Sequence, residues 1–285
     1  MRNNGEVSRT ALTAAAARAA HLMVDDQPTI FADTPAYALL GDHAEELTAY
    51  HKVHGAHPIL AAARATATTR SRYTEDRLAE AVRRGVGQYV ILGAGLDSYA
   101  YRAGEDGPVR VFEVDHPATG QWKRDALAKA GIGVPGTVAF VAVDFENDSP
   151  ADRLVQEGFD PSAPAVVSWL GVTMYLARET IGRTLAMVGG FASGSELVID
   201  SMLPEGLRDE EAQAYVDAVL PVVAESGEPW LTFLGPGDMS AILREHGLEV
   251  LAHAHEREAI DAALWNRTDA LRPSSLSLLT HARVP

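Results

Sequence analysis

The chain has 285 residues, a formal net charge of −15 and no cysteine. That length allows one large domain or two small ones, and the missing thiols exclude disulfide scaffolds, zinc–thiolate sites, cysteine-held iron–sulfur clusters and cysteine nucleophiles. The acidic balance argues against a protein that coats nucleic acid or an anionic membrane, because phosphate recognition needs a basic surface.

The N-terminal residues Met1 to Arg9 are polar, and the alanine-rich stretch Ala11 to Ala20 carries Arg18 and only one large apolar residue, Leu12. Neither reads as a signal-peptide core, and no stretch approaches the ~18–20 apolar residues of a membrane-spanning helix. A cytoplasmic protein is expected. Residues 1–84 show helical spacing, and Ile59 to Arg84 lacks glycine and proline, which suits a long helix.

From Gln88 the pattern changes to short apolar runs at Tyr89–Leu92, Val109–Val114, Val138–Val143, Ala165–Leu170 and Glu196–Ile199. Amphipathic segments such as Trp122–Ala130, Ala151–Glu157 and Arg178–Val188 lie between them. Apolar strands alternating with helices indicate an α/β fold, a parallel sheet covered on both faces. Residues 203–235 break the rhythm with a helix at Glu210–Leu220 and a loop at Gly227–Gly237. A helix at Asp238–His246, a strand at Leu248–His253, a helix at Arg257–Leu271 and a last strand at Ser275–Arg283 are expected to follow. The chain reads as a single α/β unit. Residues 1–84 form its helical cap, residues 85–285 its core, and an insertion at about 203–235 its lid.

Three successive strand ends carry chemistry. The first runs into Gly93-Ala-Gly95, where the backbone can turn sharply and a ligand can come close. The second ends on Asp115, placed to bond ribose hydroxyls, and the third on Asp144, followed by Phe145, placed to hold an adenine by one edge and one face. Each acid alone would more often be a helix cap. Together they point to an adenosine-containing cofactor, either a nicotinamide dinucleotide or S-adenosylmethionine. A dinucleotide fingerprint wants a third glycine, yet Ser98 stands there, with Asp97 before it. A carboxylate would repel a pyrophosphate but suits a ligand bearing an ammonium and a sulfonium.

The segments Thr69-Arg-Ser-Arg-Tyr-Thr-Glu-Asp76, Val90-Ile-Leu-Gly-Ala-Gly-Leu-Asp97, Tyr101-Arg102, Phe112-Glu-Val-Asp-His-Pro117, Val143-Asp-Phe145, Gly158-Phe-Asp-Pro161 and Trp169-Leu-Gly-Val-Thr-Met-Tyr-Leu176 carry a resemblance. In order and spacing the chain resembles the leucine carboxyl methyltransferase-like family of class I S-adenosylmethionine-dependent O-methyltransferases. That family includes protein-phosphatase carboxyl methyltransferases and actinobacterial polyketide O-methyltransferases. The resemblance implies a Rossmann-like sheet of seven strands, mostly parallel, with the last antiparallel. It implies that Arg70 binds the methionine carboxylate, with Arg72 its nearest rival. Gly93 and Gly95 would line the methionine and ribose, Asp115 would hold the ribose, and Asp144 with Phe145 the adenine. Two departures stand out: Ile91 where many class I enzymes carry an acid before the first glycine, and Leu170 where some carry a glutamate. Backbone carbonyls around Gly93 and Ser168 are left to meet the methionine ammonium.

For the acceptor, Arg18 could grip a carboxylate, and Tyr37, Tyr73 and Tyr175 are candidate pocket walls. His51, His54 and His57 form an H-x-x-H-x-x-H run broken by Gly55 and Pro58; surface histidines are expected there, and no metal site. His116 reads as a helix cap, and the stretch Trp265 to Asp269 as structural. No catalytic base is identified. The expected reaction is methyl transfer to a hydroxyl or carboxyl oxygen of a small molecule, with S-adenosylhomocysteine as product. A peptide or protein C-terminus is the alternative acceptor. A nicotinamide-dependent reductase is the alternative class, although it lacks a Tyr-x-x-x-Lys pair: Val219 follows Tyr215 and Glu179 follows Tyr175 at that spacing. A non-catalytic binding protein is the fourth reading.

Overall fold

The computed structural model describes residues 8–144 and 150–285. Among the described residues four α-helices precede the sheet: α1 (Arg9–Val24), α2 (Ala36–Leu39), α3 (Ala44–His54) and α4 (Pro58–Arg83). Strands and helices then alternate as β1 (Gln88–Leu92), α5 (Tyr99–Ala103), β2 (Arg110–Asp115), α6 (Pro117–Lys129), β3 (Val138–Ala142), α7 (Pro150–Gln156), β4 (Ala165–Trp169), α8 (Arg178–Gly189) and β5 (Glu196–Met202). The chain ends with α9 (Glu210–Glu225), α10 (Pro236–Glu245), β6 (Glu249–Ala254), α11 (Glu256–Ala259) and β7 (Ser277–Arg283). No helix among the described residues is long and apolar enough to cross a membrane.

The seven strands lie in the order β3-β2-β1-β4-β5-β7-β6. β7 runs antiparallel to both its neighbours, and the β1–β5 pairings are parallel. This is the expected seven-stranded, mostly parallel sheet. Strands β1, β4 and β5 are buried along their whole length, which explains why they read as continuous apolar runs. One core cluster fills the sheet from Val90 and Phe112 to Trp169, Leu185 and Leu197. The order reverses between β1 and β4, so the crevice above their C-terminal ends is the topological switch point, where ligands of such sheets bind.

Two buried polar networks fix the N-terminal helices over that crevice. In the first, Asp25 accepts two bonds from Arg64, from Nε and Nη2 at 2.8 Å each. His21 Nδ1 also lies 3.0 Å from Asp25, and His51 Nδ1 lies 3.2 Å from Arg64 Nη1. His51 is therefore only 6% exposed, which corrects the surface reading of that residue. Burial, reinforced by the Arg64 charge, pushes its pKa down to about 4. In the second network, Arg18 donates from Nε to Asp33 at 2.6 Å and from Nη2 to the Leu96 carbonyl at 2.7 Å. Asp33 also accepts from Ser98 Oγ, and Arg102 donates to Ser98 and to Glu75. The cap thus grips the glycine turn from both sides.

The C-terminal segment departs from the sequence pattern. No long helix spans 257–271. α11 stops at Ala259 because Ile260 is extended, at φ −131° and ψ 167°. Asp261 then caps a short 3₁₀ turn, Ala262–Trp265. Arg267 leaves the helical path to donate to the backbone carbonyls of Asp26 and Pro28, while Asp269 accepts from the Asp26 N–H at 2.8 Å. The Trp265–Asp269 stretch is structural: it pins the end of α1 to the C-terminal region. His116 caps α6, its Nδ1 accepting from the Ala118 N–H at 3.2 Å.

Candidate active site

One long cavity opens above the C-terminal ends of β1–β5, with a volume of about 300 Å³. Its floor is the end of β1 and the turn beyond it (Ile91–Asp97), then Asp115 at the end of β2 with His116, Val143 and Asp144 after β3, and Ser168 in β4 with Leu170–Val172 and Met174–Leu176 after it. Its walls are one face of α1 (Ala11, Ala14, Ala17, Arg18) and one face of α4 (Ala63, Thr66, Ala67, Arg70, Ser71). Those α4 positions recur at helical spacing, so a single stripe of the long helix faces the cavity. Tyr215, Val219, Val223 and Trp230 close the far end.

At the β1–β3 end of the cavity, the turn after β1 is shaped by Asp115. Its Oδ2 accepts from the Gly95 N–H at 2.5 Å and its Oδ1 from the His116 N–H at 2.6 Å. Burial pushes this carboxyl up from its ordinary range, and the two backbone donors pull it back. Each oxygen keeps lone-pair capacity for a further donor. Gly93 takes φ 67°, and a Cβ there would collide with Val172 Cγ2. Only glycine fits this turn, for reasons of both backbone and space. Asp144 lines the same end; Phe145 lies outside the described residues.

At the centre, Arg70 meets Asp200, a residue the sequence reading missed. Asp200 Oδ2 lies 3.2 Å from Arg70 Nη1, and Oδ1 accepts from the Gly171 N–H at 2.7 Å. Burial pushes the Asp200 carboxyl up, and the Arg70 guanidinium opposes that. A Cβ at Gly171 would sit 2.7 Å from the Arg70 guanidinium, so Gly171 leaves the groove in which it lies. Arg72 pairs along its own helix with Asp76 at 2.9 Å instead. Ser168 accepts from Tyr89 Oη at 2.9 Å and lines the cavity beside Leu170.

The far end is an apolar chamber. Met174, Met202, Val216 and Leu276 pack there with Tyr175, Tyr215 and Trp230. Burial pushes both tyrosine hydroxyls up, that of Tyr215 to about 12. Glu228, after α9, holds the start of α1 beside this end, accepting from Ser8 Oγ at 2.9 Å and from the Thr10 N–H at 3.3 Å.

The structure thus brings Arg18, Arg70, Gly93, Gly95, Asp115, Asp144, Ser168 and Tyr175 to one cavity. It leaves two expected wall residues elsewhere. Tyr37 is 36% exposed and donates to Glu45 at 3.1 Å. Tyr73 lies two turns further along α4 than Thr66, where the helix packs on Ile30, Phe31 and Val198 and the cavity has ended. Arg18 does line the cavity, but Asp33 and the Leu96 carbonyl occupy its guanidinium, so it is a strut of the turn.

Carboxylates at one end, a guanidinium in the middle and an apolar chamber beyond fit an adenosyl amino acid laid along the strand ends. The family model for leucine carboxyl methyltransferase matches residues 11–189. A Bacillus subtilis protein named "Putative S-adenosyl-L-methionine-dependent methyltransferase YktD" is 33% identical over 208 residues, 72% of this chain and 68% of that one. A Saccharopolyspora erythraea protein with the same descriptive name is 33% identical over 207 residues, 69% of this chain and 68% of that one. Among solved structures, a duf574 family protein from Streptomyces avermitilis superposes with a TM-score of 0.59 at 17% identity, covering 95% of this chain and 97% of that one. That likeness concerns the fold alone. The turn, the strand-end acids and the matched relatives agree, and the chain belongs to the leucine carboxyl methyltransferase family of S-adenosylmethionine-dependent methyltransferases.

Proposed function

We propose that the protein methylates an oxygen of a small molecule, in the manner of secondary-metabolite O-methyltransferases, and that it works in the cytoplasm. The observation that carries this reading is the chamber beyond Arg70. It is walled by methionine, aromatic and aliphatic side chains, with Ser8 and Thr10 at its edge held by Glu228. A polypeptide end would need an open groove and a free cation for its carboxylate. Among the described residues the two guanidiniums lining the cavity are Arg18, held by Asp33 and the Leu96 carbonyl, and Arg70, which this reading gives to the cofactor's own carboxylate.

When bound, S-adenosylmethionine supplies an electrophilic methyl group on a sulfonium. The protein's task is then mainly to position two reactants and keep water out. In this reading Asp115 takes the ribose hydroxyls while holding the Gly95 turn. Asp144 takes the adenine edge, together with Phe145. Arg70, oriented by Asp200, takes the methionine carboxylate. Ile91 and Leu170 put no carboxylate on the cavity wall, so the carbonyls near Gly93 and Ser168 receive the ammonium. Tyr175, Tyr215 and Trp230 bound the acceptor.

Arg70→Ala is expected to weaken S-adenosylhomocysteine binding by about tenfold or more, the worth of a charge-assisted pair, and to leave adenosine binding nearly unchanged. Calorimetry with both ligands checks this; equal losses would refute the carboxylate role. The acceptor reading is tested by supplying methyl-labelled S-adenosylmethionine with small phenols, small carboxylic acids and peptides. Label is expected in the small molecules. Label found on peptide C-termini, and lost in mild alkali, would overturn the small-molecule reading.

A further inference from the structure

We propose that Thr66 and Glu256 form a proton relay that deprotonates a hydroxyl acceptor as it is methylated. This rests on the small-molecule reading above and deepens it, because only a weakly acidic hydroxyl needs such a base.

Thr66 lies on the cavity stripe of α4, one turn before Arg70. Four residues of helix rise about 6 Å, so Thr66 faces the space next to Arg70, and Tyr215 of the chamber feels the charges of both Arg70 and Thr66's partner Glu256. Its Oγ1 donates to Glu256 Oε1 at 2.5 Å. Glu256 is 2% exposed and its other oxygen accepts from the Ser274 N–H at 2.8 Å. This carboxyl sits directly behind the cavity wall and reaches it through one hydroxyl.

The alternatives in the chamber are poorer. The Tyr175 and Tyr215 hydroxyls are held protonated by burial. Glu228 is occupied by Ser8 and Thr10, and Asp115, Asp144 and His116 belong to the adenosine end. From other elements Asp209 disfavours its charged form further, and Tyr215 lies close enough to feel the charges of both Glu256 and Arg70. Burial raises its pKa to about 7, where a general base works best near neutral pH. A purely structural tie between α4 and α11 would not require an ionisable group in this place.

The step balances as follows. The acceptor oxygen uses a lone pair to form the bond to the methyl carbon. The carbon–sulfur bond breaks with its electrons left on sulfur, which becomes a neutral thioether. The acceptor proton passes to Thr66 Oγ1 while the Thr66 proton passes to Glu256 Oε1. Glu256 ends as a neutral acid and releases its proton between turnovers.

The test uses the full chain with Glu256→Gln and Thr66→Val, and phenols graded from strongly to weakly acidic. Homocysteine-product formation is followed against pH, and S-adenosylhomocysteine affinity is measured in parallel. Both variants are expected to lose about 100-fold or more on weakly acidic phenols, to keep their rate on phenols already ionised, and to bind the product unchanged. The rise in wild-type rate near neutral pH should vanish. Equal losses on all phenols with that rise intact would overturn the relay. Wild-type turnover of carboxylic acids alone would sink the hydroxyl reading and the relay with it, whereas failure to bind S-adenosylhomocysteine would sink the cofactor site instead. A readout without any acceptor is infrared titration: a buried carboxyl band should appear below neutral pH in the wild type and be missing in Glu256→Gln. A Glu256 that shows no such band also overturns the relay.

Discussion

Replacing Asp115 by Ala is expected to lower affinity for S-adenosylhomocysteine and for adenosine alike, by about 100-fold or more. Two effects combine. The ribose loses a charged acceptor for its hydroxyls, and bonds to charged groups are each worth roughly 1.5–3 kcal/mol. The Gly95 N–H at 2.5 Å and the His116 N–H at 2.6 Å also lose their acceptor, so the turn that cradles the ligand relaxes. Loss for both ligands distinguishes this residue from Arg70, whose removal should spare adenosine. Calorimetric titration of the folded variant decides the matter, with a thermal melt to confirm folding. Unchanged affinity for both ligands would show that the ribose lies elsewhere. Asp115→Asn should fall between the wild type and Asp115→Ala, because the two backbone N–H groups bond different oxygens and the amide replaces one of these with an NH2 donor.

The parallel sheet was legible because its inner strands are buried on both faces and so read as apolar runs. The end of β1 and the acids Asp115 and Asp144 were legible because a strand end places chemistry at a fixed point of the fold. Side chains that meet across long sequence distances were not. Asp200 sits inside β5, where an isolated acid in an apolar run gives no clue that Arg70, 130 residues earlier, faces it. Glu256 is likewise invisible as a buried group, since its partner Thr66 is 190 residues away. His51 looked like one of three surface histidines because its spacing is local, while its burial comes from Arg64 on the next helix. The same cause undid the helix expected at 257–271. Its periodicity was genuine, but Asp261 caps a new turn and Arg267 answers backbone carbonyls of the N-terminal region. Tyr37 and Tyr73 show the remaining weakness: composition marks a tyrosine as a wall, but what packs against its part of the helix decides what it lines, and Tyr73 shares the face of Thr66 yet lies two turns beyond the cavity.

The variant Glu256→Gln is expected to change how stability depends on pH, by on the order of 3 kcal/mol between pH 4 and pH 8. The folded protein holds this acid near 7, against an ordinary value of 4.5. In that interval the folded state binds more protons than the unfolded one, so wild-type stability falls as pH rises through it. Glutamine carries no titrating proton and lacks this fall; a constant offset from altered hydrogen bonding cancels in the comparison. His51 works in the opposite sense. Its pKa is lowered from 6.5 to about 4, so its contribution is present above 6.5 and is lost as pH drops toward 4. Where the two windows overlap, the wild-type curve is flatter than either group alone would make it. Removing the Glu256 limb should expose the His51 limb, so that the variant gains stability steeply with rising pH where the wild type does not. Urea denaturation across this range gives both curves. Parallel curves would mean that Glu256 is ionised in the folded protein at ordinary carboxylate values. It would then be a far weaker base for an acceptor hydroxyl, and the buried site behind Thr66 would serve only to join α11 to α4.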